Sequence, residues 1–219
     1  MNKPPSSGLP RFAEVGIAVC GLLVASPILV FFAFLIKLES SGPILFRQKR
    51  VGLNGKEFTL FKLRTMRVTR VGALLTATQD PRVTPIGRIL RRTKIDELPE
   101  LWNVCIGDMR IVGPRPEIPQ FVDLNDPIWC EILTSRPGIT DPVTLRLRNE
   151  EHLLAKVIDK QKFYTEIVQP YKLRGSVRYL RNRSWKSDIR IICRTLKAII
   201  LPRTASAPSK EEMQLSFAE

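Results

Sequence analysis

From Val15 to Ile36 the chain reads VGIAVCGLLVASPILVFFAFLI, with no charged residue in the run. As a helix it is long enough to cross a hydrocarbon core of ~30 Å. It is too internal for a cleaved secretory signal, and Phe and Leu stand where cleavage would need small residues. Near its middle lies Ser26-Pro27. Pro27 removes a helical hydrogen bond and crowds the preceding turn, so in lipid the freed carbonyls need a partner, a role open to Ser26. Both flanks are basic, with Lys3 and Arg11 before the run and Lys37, Arg47, Lys49 and Arg50 after it. The preference of positive residues for the cytoplasmic side therefore chooses no orientation. A helix that bends at Ser26-Pro27 and leaves on the face it entered satisfies these observations, and a kinked spanning helix satisfies the length equally.

The remainder has soluble character. The 219 residues carry 35 Lys and Arg against 21 acidic residues, a formal net charge of +14, which implies anionic partners: phosphorylated small molecules, acidic lipid or nucleic acid. Cys20, Cys105, Cys130 and Cys193 form no C-x-x-C pair, and His152 is the single histidine. Neither a Cys/His zinc site nor a disulfide framework is indicated, and a lone histidine argues against a Ser-His-Asp or Cys-His mechanism. No G-x-x-x-x-G-K-[ST] or G-x-G-x-x-G is present, which excludes the usual P-loop and Rossmann signatures.

Residues 43–50 and 56–63 read as two strands joined around Leu53-Asn54-Gly55, a hairpin in which Phe58, Leu60 and Lys62 share a face. Residues 64–83 read as a polar loop. Thr84-Pro85 opens a short helix, with Thr84 as N-cap. Leu98, Leu101, Trp102 and Cys105 recur at helical spacing, so Asp96 and Glu97 fall at or just before a helix start. Asp126-Pro127 begins another helix, 149–158 is a further candidate, and Pro170 interrupts a mixed stretch over 160–182. Ser184 to Leu201 is amphipathic, with Ile189, Ile192, Leu196 and Ile199 opposed to Arg190, Arg194 and Lys197. It suits either a core-packing helix or one lying in a membrane interface. Residues 203–219 read as an unstructured tail.

Acids at a helix start are usually dipole complements, and Thr93 with Asp96 resembles a capping box. The surroundings of Asp96-Glu97 argue for more. Arg88, Arg91, Arg92 and Lys94 precede the pair, Arg110 and Arg115 follow, and prolines stiffen the backbone around Arg115 in Gly113-Pro114-Arg115-Pro116. Carboxylates beside fixed cations suit phosphoryl transfer, because a carboxylate attacking a diphosphate approaches another anion. Arg, Lys or Mg²⁺ can cancel that repulsion, and an Asp can carry the phosphoryl group as an acyl phosphate.

The run from Asp80-Pro81-Arg82-Val83-Thr84-Pro85 through Asp96-Glu97-Leu98-Pro99 to Gly107-Asp108-Met109 and Gly113-Pro114-Arg115-Pro116 resembles the bacterial sugar transferase family, the monotopic phosphoglycosyl transferases. The resemblance extends from the apolar run to about Leu201. It implies an α+β, predominantly helical fold with an N-terminal re-entrant membrane helix-break-helix at Ser26-Pro27 (1–40), a cytoplasmic catalytic domain containing a small β-hairpin and amphipathic interfacial helices (41–202), and a tail (203–219). It implies Asp96 as nucleophile and Glu97 as its partner, both beside Mg²⁺, with Lys62, Arg91, Arg115 and Arg148 contacting substrate phosphates. The implied reaction moves a sugar 1-phosphate from a UDP-sugar to polyprenyl phosphate and releases UMP, the first membrane step of glycan assembly. The implied location is the cytoplasmic face of a bacterial inner membrane, with that membrane's lipid as a partner and no nucleic acid; a homodimer is compatible with it. In many larger relatives the turn reads P-G-I-T-G, whereas here it is Pro137-Gly138-Ile139-Thr140-Asp141.

Simpler readings accompany each of these residues. Lys62 and Arg148 could be solvated charges, Trp102 and Trp185 read as packing residues, and His152 as a residue on a solvated helix face. A competing function is a membrane-anchored basic adaptor for acidic lipid or nucleic acid, whose binding would fall steeply with salt.

Overall fold

The computed structural model describes residues 8–68, 80–148, 150–155, 157–201, 208–209 and 212–213. The apolar run lies within helix α1 (Arg11–Glu39), the one helix among the described residues long and apolar enough to cross a membrane. α1 continues through Ser26-Pro27, so the expected helix-break-helix is here an uninterrupted helix. Pro27 lacks the N–H that would bond the Leu23 carbonyl four residues back, and the Ser26 hydroxyl donates to that same carbonyl at 2.8 Å.

One narrow stripe of α1, Glu14, Ala18, Ala25, Phe32 and Ile36, is buried against the rest of the chain, while Phe12, Leu23, Val24, Val30, Phe31, Phe34 and Leu38 face outward. Both ends are tied down. At the start, Arg11 donates to the carbonyls of Met109 and Val104. There too the fully buried Glu14 takes Arg110 Nε on both oxygens at 3.0 Å. At the end, the buried Arg64 donates to the carbonyls of Ser40 at 2.7 Å and Ser41 at 2.8 Å, and Glu39 accepts the Ile86 N–H at 3.0 Å. A cation among the last carbonyls of a helix complements its dipole, worth up to about 2 kcal/mol when partly buried.

Strands β1 (Leu45–Val51) and β2 (Glu57–Leu63) form the expected antiparallel hairpin. Asn54 and Gly55 take positive φ in its turn, the geometry for which Asn-Gly is selected. Of the loop expected over 64–83, residues 69–79 lie outside the described set; the flanking Met66 and Val83 form an isolated bridge. Helix α2 (Pro85–Thr93) starts as expected, with Thr84 accepting the Gly87 N–H at 2.9 Å.

After α3 (Glu100–Ile106), strand β3 (Arg110–Val112) pairs in parallel with β4 (Gly138–Thr140). Between them lies α4 (Pro127–Ile132), capped by Asp126 as expected. Gly138 opens β4 rather than forming a turn. A Cβ there would lie 2.1 Å from the Gly113 nitrogen, so only glycine lets the two backbones meet. The helices α5 (Pro142–Arg146), α6 (Glu150–Leu154), α7 (Lys160–Phe163) and α8 (Gln169–Arg181) follow. Pro170 does not interrupt the helical run. It occupies the first turn of α8, where its missing N–H costs little, directly after a π-helical turn at Tyr164–Val168.

Helix α9 (Trp185–Ile200) begins at Ser184, which forms a capping box with Ser187. Its inward face is Asp188, Ile191 and Ala198. Ile189, Leu196 and Ile199, read from sequence as one apolar face, are exposed, while Ile192 is half-buried against the core. Trp102 and Trp185 are likewise not packing residues, at 54% and 52% exposure; the buried tryptophan is Trp129. The tail expected over 203–219 and the side chain of His152 fall largely outside the described set. Of the described tail residues, Met213 is buried in a cluster with Leu147, Leu154 and Tyr164, and Glu212 pairs with Arg146.

Candidate active site

The main core, built on Phe58, Leu60, Val104, Met109, Ile111 and Val112, underlies a cavity of about 1810 Å³. Lys62, Arg91, Asp96, Glu97, Arg115 and Arg148, the site residues that the resemblance implies, line it together with Arg88, Arg92 and Lys94. Arg110 does not, being bonded to Glu14 of α1. Lys62, the dyad and Arg115 each arrive by a local device. Asn103, fully buried on α3, donates to Thr59 O at 2.7 Å and accepts from Phe61 N at 3.2 Å. It thereby holds the β2 backbone one residue before Lys62. α2 ends at Lys94, whose left-handed conformation (φ 61°) turns the chain into a 3₁₀ turn at Ile95–Glu97. The dyad thus precedes α3, as the sequence indicates, but the capping box does not form. The Thr93 hydroxyl instead bonds back to the carbonyls of Ile89 and Leu90. Arg115 is fixed through its backbone, its N–H donating to Asp141 Oδ2 at 3.1 Å.

The two acids have separate environments. Glu97 Oε1 receives Arg115 Nη2 at 2.6 Å and Lys62 Nζ at 3.0 Å. Burial alone would push the Glu97 carboxyl up, but Arg115, Lys62 and Lys94 outweigh it and hold it well below the usual carboxylate range. Asp96 is buried, and its Oδ1 has no hydrogen-bond partner among the described residues. Burial, then the neighbouring Glu97 charge, raise its pKa against the pull of Lys62, Lys94 and Arg91. Pairs of acids whose environments push their pKa values apart are suited to different roles. Here one carboxylate is a fixed anchor and the other has an oxygen free for chemistry.

Arg91 is steadied by Thr65 and Glu151, at 2.9 and 2.8 Å. Arg148 keeps a buried Nη1 without a partner among the described residues. Four neighbours escaped the sequence reading. Glu100 shares Lys62 at 3.1 Å, Asn103 clamps β2, and Gln48 and Arg50 line the cavity from β1. Cross-strand register would have exposed the last two, since Gln48 pairs with Leu60 and Arg50 with Phe58.

Oxygen donors suit Mg²⁺, and the unpartnered Asp96 Oδ1 is of that kind. Among the described residues no group of three or more His, Cys, Asp or Glu gathers as a metal site. The chain thus offers one or two carboxylates, the usual protein share for Mg²⁺ bound with substrate phosphates.

A mostly helical domain that joins one apolar helix long enough to cross a membrane to an acid dyad ringed by basic side chains has the makings of a transferase site for anionic groups. The chain belongs to the bacterial sugar transferase family, whose model matches residues 6–202. It is 37% identical over 212 residues to the UDP-glucose:undecaprenyl-phosphate glucose-1-phosphate transferase of Caulobacter vibrioides, covering 90% of this chain and 74% of that protein. The Escherichia coli protein of the same description is 48% identical over 172 residues, covering 75% of this chain and 37% of the relative. A UDP-N-acetylgalactosamine-undecaprenyl-phosphate N-acetylgalactosaminephosphotransferase of Aeromonas hydrophila is 34% identical, covering 91% of this chain and 45% of the relative. The chain thus spans less than half the length of these last two relatives.

Proposed function

We propose that this chain transfers a sugar 1-phosphate from a UDP-sugar to polyprenyl phosphate, the first membrane step of a glycan assembly. The observation that carries the reading is the free, buried oxygen of Asp96 beside a Glu97 already locked by Lys62 and Arg115. In the first step an Asp96 oxygen bonds to the β-phosphorus of the UDP-sugar, the bond from that phosphorus to the bridging oxygen breaks, and UMP leaves. In the second, a phosphate oxygen of polyprenyl phosphate attacks the same phosphorus, and the aspartyl oxygen leaves as carboxylate. Lys62, Arg91, Arg115 and Arg148 bind the non-bridging oxygens. Mg²⁺ held by Asp96 and Glu97 would supply further charge neutralisation on the diphosphate. The names of the relatives support the donor and acceptor classes.

The membrane reading is monotopic, on the cytoplasmic face of the inner membrane. A helix of 29 residues is about 43 Å long. Spanning a core of ~30 Å would carry its ends to opposite sides, yet both ends of α1 are bonded to one domain, through Arg110 and Arg64. This favours a helix held along one face of the membrane with the domain on that side, and Trp185, Ile189 and Leu196 of α9 turned outward into the interface.

The test is incubation of the membrane-reconstituted protein with Mg²⁺, polyprenyl phosphate and a panel of UDP-sugars. UMP release is expected with at least one sugar, and a radiolabelled sugar phosphate should attach to wild type but not to Asp96→Asn. Full activity in Asp96→Asn would reject the covalent role.

A further inference from the structure

We propose that Arg50 is a further substrate-binding residue, a guanidinium that receives a phosphoryl anion next to Arg115. The inference rests on the phosphotransfer reading of the cavity and extends it. In an antiparallel pair, directly opposed residues share a face. Phe46 opposes Lys62 and Arg50 opposes Phe58, and the period of two along each strand puts Arg50, Gln48 and Lys62 on the same side of the hairpin. Arg50 lines the cavity from there.

Its partners hold it in place without neutralising it. Nη1 donates to Pro116 O at 3.0 Å, one residue beyond Arg115, and Nη2 donates to Gln48 Oε1 at 2.7 Å. Both acceptors are uncharged. The carboxylate paired with it, Glu117, stands 3.8 Å away, and its other oxygen is engaged by Tyr164 and Lys172. The Arg50 Nε is buried and donates to nothing among the described residues.

Elsewhere Arg183 meets Asp188 at 2.9 Å and Arg110 meets Glu14 at 3.0 Å. The buried Arg64, bound to uncharged acceptors, is compensated by the C-terminal end of α1, whose carbonyls it caps. Arg50 has neither kind of close compensation. Burying a cation without direct compensation is costly, and the planar guanidinium fork is the side chain best matched to phosphate oxygens. Burial also pushes the Arg50 pKa down, and Arg115 adds to that effect against the pull of Glu117, consistent with a site short of negative charge. With Lys62 and Arg115 both held by Glu97 beside the reacting carboxylate, Arg50 is placed for a phosphoryl group that is not under attack. The donor's other phosphate and the acceptor's phosphate share that chemistry.

The experiment compares wild type, Arg50→Met and Arg50→Lys as full chains in lipid, reading UMP release against UDP-sugar and polyprenyl phosphate concentrations, with UMP as inhibitor. Loss of a charged hydrogen-bonding group is commonly worth about tenfold or more in binding. Arg50→Met is therefore expected to raise one KM by about tenfold with kcat less affected, and Arg50→Lys to recover part of it. A raised UDP-sugar KM with weakened UMP inhibition assigns the donor's phosphate, while a raised polyprenyl phosphate KM alone assigns the acceptor's. Both KM values within twofold of wild type overturn the proposal, whatever happens to kcat or melting temperature. If Arg50→Met does not accumulate, the same criterion is read on Arg50→Lys. Wild type that releases no UMP with any donor defeats the phosphotransfer reading itself, whereas wild-type turnover with unaffected variants defeats only the role of Arg50.

Discussion

Asp141 accepts the backbone N–H of Arg115 on Oδ2 at 3.1 Å, while its Oδ1 accepts the N–H groups of Val143 and Thr144 at 2.6 and 2.7 Å. One buried carboxylate thus caps α5 and sets the position of the arginine that holds Glu97. Asp141→Ala removes a cap worth about 1 kcal/mol and leaves the Arg115 N–H without its acceptor. The expected outcome is a lowered melting temperature together with a fall in kcat/KM of about tenfold, a typical cost for a displaced catalytic contact. Asp141→Asn, which keeps an acceptor oxygen, should lose less of both. A variant that melts earlier but turns over normally would show that Asp141 serves α5 alone.

The split between Asp96 and Glu97 makes a signed prediction about pH. The attacking Asp96 must be ionised, and burial followed by the Glu97 charge raises its pKa above the ordinary 3.8. The acid limb of kcat/KM should therefore lie above that value. Glu97→Gln removes the like charge and leaves Lys62, Lys94 and Arg91 pulling the other way. Its residual activity, reduced by about 10² or more, should show an acid limb displaced to lower pH. Lys62→Met should displace the limb upward. A pH–rate profile of UMP release for the three proteins decides it, and identical limbs would mean that Asp96 is not the titrating group.

The same burial has a consequence for stability. A carboxyl whose folded pKa exceeds its unfolded value costs stability when ionised. The cost is fully present above the folded pKa and vanishes below the unfolded one. Asp96→Asn should therefore abolish turnover yet melt no lower than wild type at neutral pH, with each kcal/mol recovered worth roughly 2–4 °C. The difference should close as pH falls below the ordinary Asp range. Thermal melts of both proteins across pH read this directly, and a destabilised Asp96→Asn at pH 7 would count against an under-compensated carboxylate.

Features legible in the sequence were those that physics settles locally. The Asn54-Gly55 turn, the Thr84-Pro85, Asp126-Pro127 and Ser184 helix starts and the alternation of Phe58, Leu60 and Lys62 each depend on a few adjacent residues. The dyad was legible because its arginines lie close by in sequence. Arg50 and Asn103 were not, because their roles depend on strand register and on a helix packed across an open strand edge. Pro170 was misread because whether a proline breaks a helix or begins one depends on where the turn before it ends. The exposure of Ile189, Leu196 and Ile199 could not be read from their period, since an apolar stripe looks the same whether protein or lipid covers it.

That last ambiguity is open to experiment. If the outward residues of α9 rest in a membrane interface, each contributes through apolar area, at about 25 cal/mol per Å² removed from water. Trp185, Ile189 and Leu196 are all substantially exposed, so replacing them should cost little folding stability. Replacing all three with Ser or Gln should weaken binding to vesicles by at least tenfold, while α1 still supplies the main anchor. Turnover with donor and acceptor in detergent should remain near wild type, because these side chains do not hold the dyad. Vesicle flotation beside a detergent assay of UMP release separates the two effects. Unchanged flotation would mean that α9 is covered by something other than lipid, and a large loss of activity in detergent would mean that its outer face supports the site.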